Sequence, residues 1–345
     1  MKPKERLFCA FDLGEPDHVP ACIFGGGMWV LKNTGYAFQD LIGKPREMAD
    51  AYLKANDLVH WPIIYVGSGY NNLHVGALGG KIKYRRVGAP DLEEPLVKQS
   101  ASELDALDIG ALARDTVIQT IWEATERVAA VAGQDYAVTV TTWGPFTLGA
   151  QLYGVERLMK AAYKAPQEVE KVIDFATEMI LQVYEPLAKR GIIQLASIAD
   201  PTASGDLVSR KHFDRYAFKP LQRLTSALHA QGVRTLLHIC GNTTDKLDLL
   251  ADTGADCVSI DQKVALSKAK EVFTGKKRCL AGNLNPVHVL NQGTPDLVRE
   301  EASKALEAGA PGGGFVLMPG CDIPPTVPIE NVQAFMQVAA EWRYN

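Results

Sequence analysis

Two short stretches carry side chains whose types and spacing suit a metal ion. RTLLHICGNT (234–243) ends an apolar run on His238 and Cys240, and FVLMPGCDIPPT (315–326) ends another on Cys321. In an extended strand, residues two apart share a face, so His238 and Cys240 can reach one point while Ile239 turns away. An imidazole with two soft thiolates selects zinc. Three protein ligands leave one tetrahedral position open, which is the arrangement of a catalytic rather than a structural site. Structural zinc sites draw on close pairs such as Cys-x-x-Cys, and the sequence has none. The competing reading of any single cysteine is core packing. It suits Cys257, Cys279 and Cys22, which lie inside apolar runs, and Cys9, which shares a helical pattern with Leu7 and Phe11. His18, His60, His74, His212, His229 and His288 have no paired ligand nearby and read as surface or hydrogen-bonding residues.

For two distant strand ends to meet, the architecture must bring them to one rim. Short β-branched or apolar runs occur at 18–24, 58–67, 136–143, 192–200, 233–240, 256–261, 277–284 and 314–320. Amphipathic stretches separate the later ones. In 166–189 the residues Val169, Val172, Ile173, Ala176, Ile180 and Val183 repeat at helical spacing, 209–230 behaves the same way, and Thr294-Pro295 opens a helix that Gly309 closes. Eight strand–helix units whose strands are apolar on both faces predict an α/β fold, a (β/α)8 TIM barrel. An open doubly wound sheet fits less well, because no glycine-rich dinucleotide turn follows any strand and Gly25-Gly26-Gly27 lacks the fingerprint spacing. The chain is expected to be one barrel domain over 1–345, with an N-terminal extension and a hairpin insertion at about 79–98. A barrel keeps its chemistry at the carboxyl ends of its strands. Trp143, Asp200, His238, Cys240, Asn242, Asp261, Asn283 and Cys321 all fall at such ends.

Composition narrows the function classes. The 345 residues carry a net charge near −4, and their Lys and Arg are scattered, so nucleic acid is not an expected ligand. No run of eighteen apolar residues suggests a membrane span, and the first twenty residues turn charged too soon for a signal peptide. A cytoplasmic location is expected. Six cysteines without regular spacing do not form a disulfide framework.

Several segments, taken in order, carry a resemblance: KERLFCAFDLGEPDHVPA near the start, TTWGPFTLGAQLYGVERLM (141–159), ASIADPTASGDLVS (196–209), HICGNT (238–243), GNLNPVHVLNQGTPDLV (282–298) and PGCDIPPTVPIENV (319–332). With these the chain resembles the uroporphyrinogen decarboxylase superfamily over nearly its whole length, and within it the zinc-dependent corrinoid methyltransferases of the methylcobalamin:coenzyme M type. The decarboxylases of this superfamily carry arginines in an amino-terminal segment and a His in the closing motif. Here the first segment reads FGGGMWVLKNTGY, without arginine, and Cys321 stands at the second position.

The resemblance implies a zinc-dependent methyltransferase. It would move a methyl group between cobalamin, carried by a separate corrinoid protein, and a small substrate such as a thiol. No Asp-x-His-x-x-Gly corrinoid segment occurs in the chain itself. It implies His238, Cys240 and Cys321 as zinc ligands and catalytic residues, with Asp261 as a transient fourth ligand that substrate would displace. Tyr70, Trp143, Asp200, Asn242 and Asn283 are candidates for the substrate pocket. The alternatives are demethylation of a methoxylated or methylated donor toward the corrinoid, uroporphyrinogen decarboxylation, and a non-catalytic barrel with a structural metal.

Overall fold

The computed structural model describes residues 1–85 and 88–344. The strands, in chain order, are β1 (Ile63–Val66), β2 (Ile82–Lys83), β3 (Asp91–Leu92), β4 (Ala137–Trp143), β5 (Leu195–Ala199), β6 (Arg234–Ile239), β7 (Cys257–Ile260), β8 (Cys279–Leu284) and β9 (Phe315–Pro319). Seven of them form one sheet in the order β1-β4-β5-β6-β7-β8-β9, and every pairing is parallel. Helices cover the outer face and side chains fill the inner one. That is why β5, β7 and β9 are buried throughout and why their sequences lack the polar alternation of a one-sided sheet.

The first expected strand is reduced to a single bridge. Ala21 lies against Leu317 of β9, Cys22 N–H donates to Leu317 O (3.1 Å), and Leu317 N–H donates to Pro20 O (2.9 Å). Pro20 has no N–H to extend a ladder. On its other side this segment meets β1 through side chains, with the Phe24 and Tyr65 rings 5.9 Å apart. Gly27 comes so close to β1's loop that a Cβ would lie 1.8 Å from Ser68 O. The sheet thus curls into the barrel, with the 18–24 segment as its eighth stave.

Local sequence explains the helices. Helix Pro166–Lys189 starts on a proline and buries the stripe from Val169 to Tyr184. Helix Pro295–Gly309 is capped by Thr294, whose Oγ1 accepts from Leu297 N–H at 3.3 Å. The single helix expected over 209–230 is instead Arg210–Phe213, a π turn at Asp214–Phe218, and Lys219–His229. Pro220 cannot donate into a continuous ladder, and the π turn absorbs the missing bond. The insertion is a hairpin: β2 and β3 pair antiparallel, Ile82 with Leu92, and positions 86 and 87 of the expected hairpin lie outside the described residues.

The amino-terminal ends of the strands are plugged. Helix Pro3–Phe11 lies there, Asp12 pairs with Arg234 at the start of β6 (2.7 Å), and Gly314 N–H donates to Gly14 O ahead of β9. Cys22, Cys257 and Cys279 are fully buried in the core, as their apolar runs implied. No helix among the described residues is long and apolar enough to cross a membrane.

Candidate metal centre

β6 carries His238 in register with Ala199 of β5 and Ser259 of β7. Cys240 follows on the same face, just beyond the strand. There Gly241 turns the chain in the left-handed region (φ 79°), and a Cβ on it would meet Ser204 Oγ at 2.1 Å. Cys321 leaves β9 after Gly320, whose N–H donates to Leu284 O (2.7 Å) and whose place leaves no room for a Cβ beside Gln262 N. Two close-packed glycines therefore let the β6 and β9 ends converge.

The convergence is tight. His238 Nε2 lies 3.2 Å from Cys240 Sγ, and the two sulfurs are 3.4 Å apart. All three donor atoms fall within 4.8 Å of one another. A tetrahedral zinc with ordinary bond lengths would separate two sulfurs by about 3.8 Å and sulfur from nitrogen by about 3.6 Å. The donor set fits such an ion with a few tenths of an ångström of relaxation. His238 is buried while both thiols are partly exposed, so the open side faces the barrel mouth.

Electrostatics in the cluster favours anionic sulfur. Hydrogen bonding from Cys240 holds the Cys321 thiol down to about 4, against burial and with help from His238. The same contact, together with burial, pushes Cys240 up. The pair thus retains one proton between two sulfurs. A dication would displace that proton, since metal ligands bind deprotonated. Next to Cys321, Asp322 Oδ1 accepts from the N–H groups of Gly26 and Ile323 (2.8 Å each), and burial lifts this carboxyl to about 7.

The remaining expected site residues are engaged elsewhere. Asp261 is not in the cluster: its Oδ2 accepts from Gly241 N–H (2.8 Å) and its Oδ1 from Lys263 N–H (2.9 Å). Both oxygens thus brace loops in this structure. Asp200 caps helix Pro145–Tyr153, accepting from Phe146 N–H (3.2 Å), Thr147 N–H (2.7 Å) and Thr147 Oγ1 (2.6 Å). Tyr70 is buried, and its hydroxyl donates to Phe38 O (2.6 Å). Trp143 Nε1 donates to Asn72 Oδ1 (2.7 Å), and Asn72 Nδ2 donates to Pro90 O (2.7 Å), which ties the hairpin insertion to the mouth. Asn242 is exposed and accepts from Thr244 N–H (3.1 Å). Asn283 Nδ2 donates to Asp261 O (3.1 Å) and Val264 O (2.7 Å). Among the described residues none of these six hydrogen-bonds the side chains of the cluster.

Sequence reasoning missed two residues that do stand beside it. Ser259 Oγ is 3.1 Å from His238 Nδ1, and Asp322 is anchored next to Cys321. The available signal was a serine inside the apolar run DCVSID and a carboxylate in PGCDIPP. A separate cavity of about 600 Å³ opens between 18–21, 57–62 and helix Ile329–Glu341, at the plugged end and away from the cluster.

Comparison with known proteins finds relatives that match over nearly the whole chain. The methylcobamide:CoM methyltransferase MtbA of Methanosarcina mazei is 29% identical over 350 residues, covering 99% of this chain and 98% of that protein. The methylcobamide:CoM methyltransferase MtaA of Methanosarcina barkeri, strain Fusaro, is 32% identical over 349 residues, covering 98% of each. A solved structure of a methyltransferase from Methanosarcina mazei matches with a TM-score of 0.87 at 28% identity, covering 99% of both chains. The family model described as uroporphyrinogen decarboxylase (URO-D) matches residues 2–342, and the chain belongs to that family.

Proposed function

We propose that the protein transfers a methyl group between a corrinoid carried by a separate protein and a small thiol, using a zinc ion held by His238, Cys240 and Cys321. The observation that carries this reading is the meeting of one imidazole and two sulfurs at the open end of a barrel whose full-length relatives are methylcobamide:CoM methyltransferases. Zinc bound there would take a substrate sulfur at its open position and favour loss of the thiol proton.

The chain's own residues set the conditions for that chemistry. Two thiolates and a neutral imidazole cancel the charge of a dication, so the substrate sulfur keeps its nucleophilicity instead of having its electrons drawn off. Phe24 lies against His238, with ring centroids 4.8 Å apart, and closes the centre from below. Asp261 and Asp322 hold the N–H groups of Gly241 and Gly26, which fixes the loops that carry the sulfurs. The exchange forms a carbon–sulfur bond and breaks a carbon–cobalt bond, with the electron pair staying on cobalt and the thiol proton leaving to solvent. Decarboxylation of a tetrapyrrole is disfavoured, because 24–36 offers no arginine for a polycarboxylate.

The test uses zinc-loaded protein, methylcobalamin and a panel of thiols that includes 2-mercaptoethanesulfonate, followed by the cobalamin spectrum. Loss of the methylated form is expected with at least one thiol, and not with Cys321→Ala. An unchanged spectrum with every thiol, from protein carrying one zinc per chain, would reject the thiol reading. Methylation of reduced cobalamin by a methoxylated compound would reverse the direction.

A further inference from the structure

An imidazole has two nitrogens, and the second one of His238 is also placed. Nε2 faces the sulfurs, while Nδ1 lies 3.1 Å from Ser259 Oγ on the neighbouring strand. Both residues are buried, His238 at 2% and Ser259 at 1% exposure, so water does not compete for this contact. The register accounts for the pairing: Ser259 on β7 and Ala199 on β5 are the residues beside His238, and alanine has nothing to offer a ring nitrogen. Phe24 holds the face of the ring and Ser259 holds its edge.

A neutral imidazole carries its proton on one nitrogen and can ligate only through the other. If the proton sat on Nε2, Ser259 would donate to Nδ1, and no lone pair would face the cluster.

We propose that Ser259 is the positioning residue of the metal centre: its hydroxyl oxygen accepts from His238 Nδ1–H, fixing the tautomer and the ring plane so that Nε2 is presented as the donor. The inference rests on the reading of His238, Cys240 and Cys321 as metal ligands. It also has a chemical consequence. Metal-bound histidines are commonly backed by a carboxylate. A hydroxyl orients the ring without adding negative charge, so the two thiolates alone balance the dication and the centre stays neutral.

The experiment reads the ring and the ion rather than turnover. In zinc-loaded, ¹⁵N-labelled full-length protein, long-range ¹H–¹⁵N correlations of His238 are expected to show a protonated Nδ1 and a metal-bound Nε2. Zinc affinity, measured by competition with a chromophoric chelator, is expected to fall about 10- to 100-fold in Ser259→Ala. Ser259→Thr, which keeps the hydroxyl, should stay within about threefold of wild type. A protonated Nε2 in the wild type overturns the proposal whether or not a variant folds, and so does a Ser259→Ala protein with unchanged affinity and tautomer. A wild-type chain that takes up no zinc would instead overturn the metal-centre reading on which the proposal stands.

Discussion

The chemistry proposed for this molecule comes down to which cysteines can act. Cys240 and Cys321 are partly exposed and share a proton with each other beside an imidazole, whereas Cys257 and Cys279 face each other in register on β7 and β8, sealed from solvent. Replacing sulfur by oxygen should therefore have opposite signatures at the two places. Cys240→Ser is expected to weaken zinc binding by more than about 100-fold with little change in stability, since a ligand matters more than its hydrogen-bonding support. Cys257→Ser should leave zinc affinity unchanged and lower stability by about 1–3 kcal/mol, the cost of placing a hydroxyl in an apolar core. Chelator competition and denaturant titration of both variants would check this, and equal zinc loss from the two would contradict it. The pair His238 and Cys240 was legible in the sequence because the strand period is two, so spacing alone puts both on one face. Ser259 was not, because its relevance depends on which strand lies beside β6, and that is a fact of the sheet rather than of any local pattern.

At the scale of elements, the barrel mouth is braced by Asp200, which expectation had placed in the substrate pocket, and by Asp261, which it had placed on the metal. Asp200 stands just past β5 and caps helix Pro145–Tyr153, which follows the neighbouring β4 and whose N-cap position is Gly144 and so has no side chain of its own. Burial raises this carboxyl from 3.8 to about 6, with the Thr147 and Phe146 donors opposing the shift. The folded state thus holds the proton more tightly than the unfolded chain does. The linked stability is complete below 3.8 and is lost as pH rises through about 6, leaving a charge-burial cost of about 3 kcal/mol at neutral pH. Asp200→Asn removes the titration. Relative to that variant, the wild type's denaturation midpoint should fall between about pH 4 and pH 7. Parallel curves would mean that the carboxyl ionises at its ordinary value. The helix start at Pro166 and the cap at Thr294 were readable from single residues. Asp200's cap was not, because donor and acceptor lie 53 residues apart and meet only through the β4–β5 pairing. The Gly25-Gly26-Gly27 turn likewise shows its purpose only in three dimensions. It brings backbone against Ser68 and sends Gly26 N–H to Asp322, beside the cluster.

At the scale of the whole molecule, the two ends of the barrel are unlike. One is plugged by the amino-terminal helix and the Asp12–Arg234 pair; the other opens over the three donor atoms, roofed in part by the β2–β3 hairpin that Asn72 ties to Trp143. In the proposed function, a partner that carries the methyl group would reach the three donor atoms from the open side. The fold class was legible from eight apolar runs separated by helices. The replacement of a first strand by a single bridge was not, since HVPACIF reads as strand until Pro20 is seen to face β9. The most direct test of the central claim is X-ray absorption at the zinc edge, before and after adding a thiol. Two sulfurs and one imidazole nitrogen are predicted around the ion at rest, with a third sulfur joining at about 2.3 Å when the thiol is present. A zinc shell of oxygen and nitrogen alone, or one that the thiol leaves unchanged, would contradict the account.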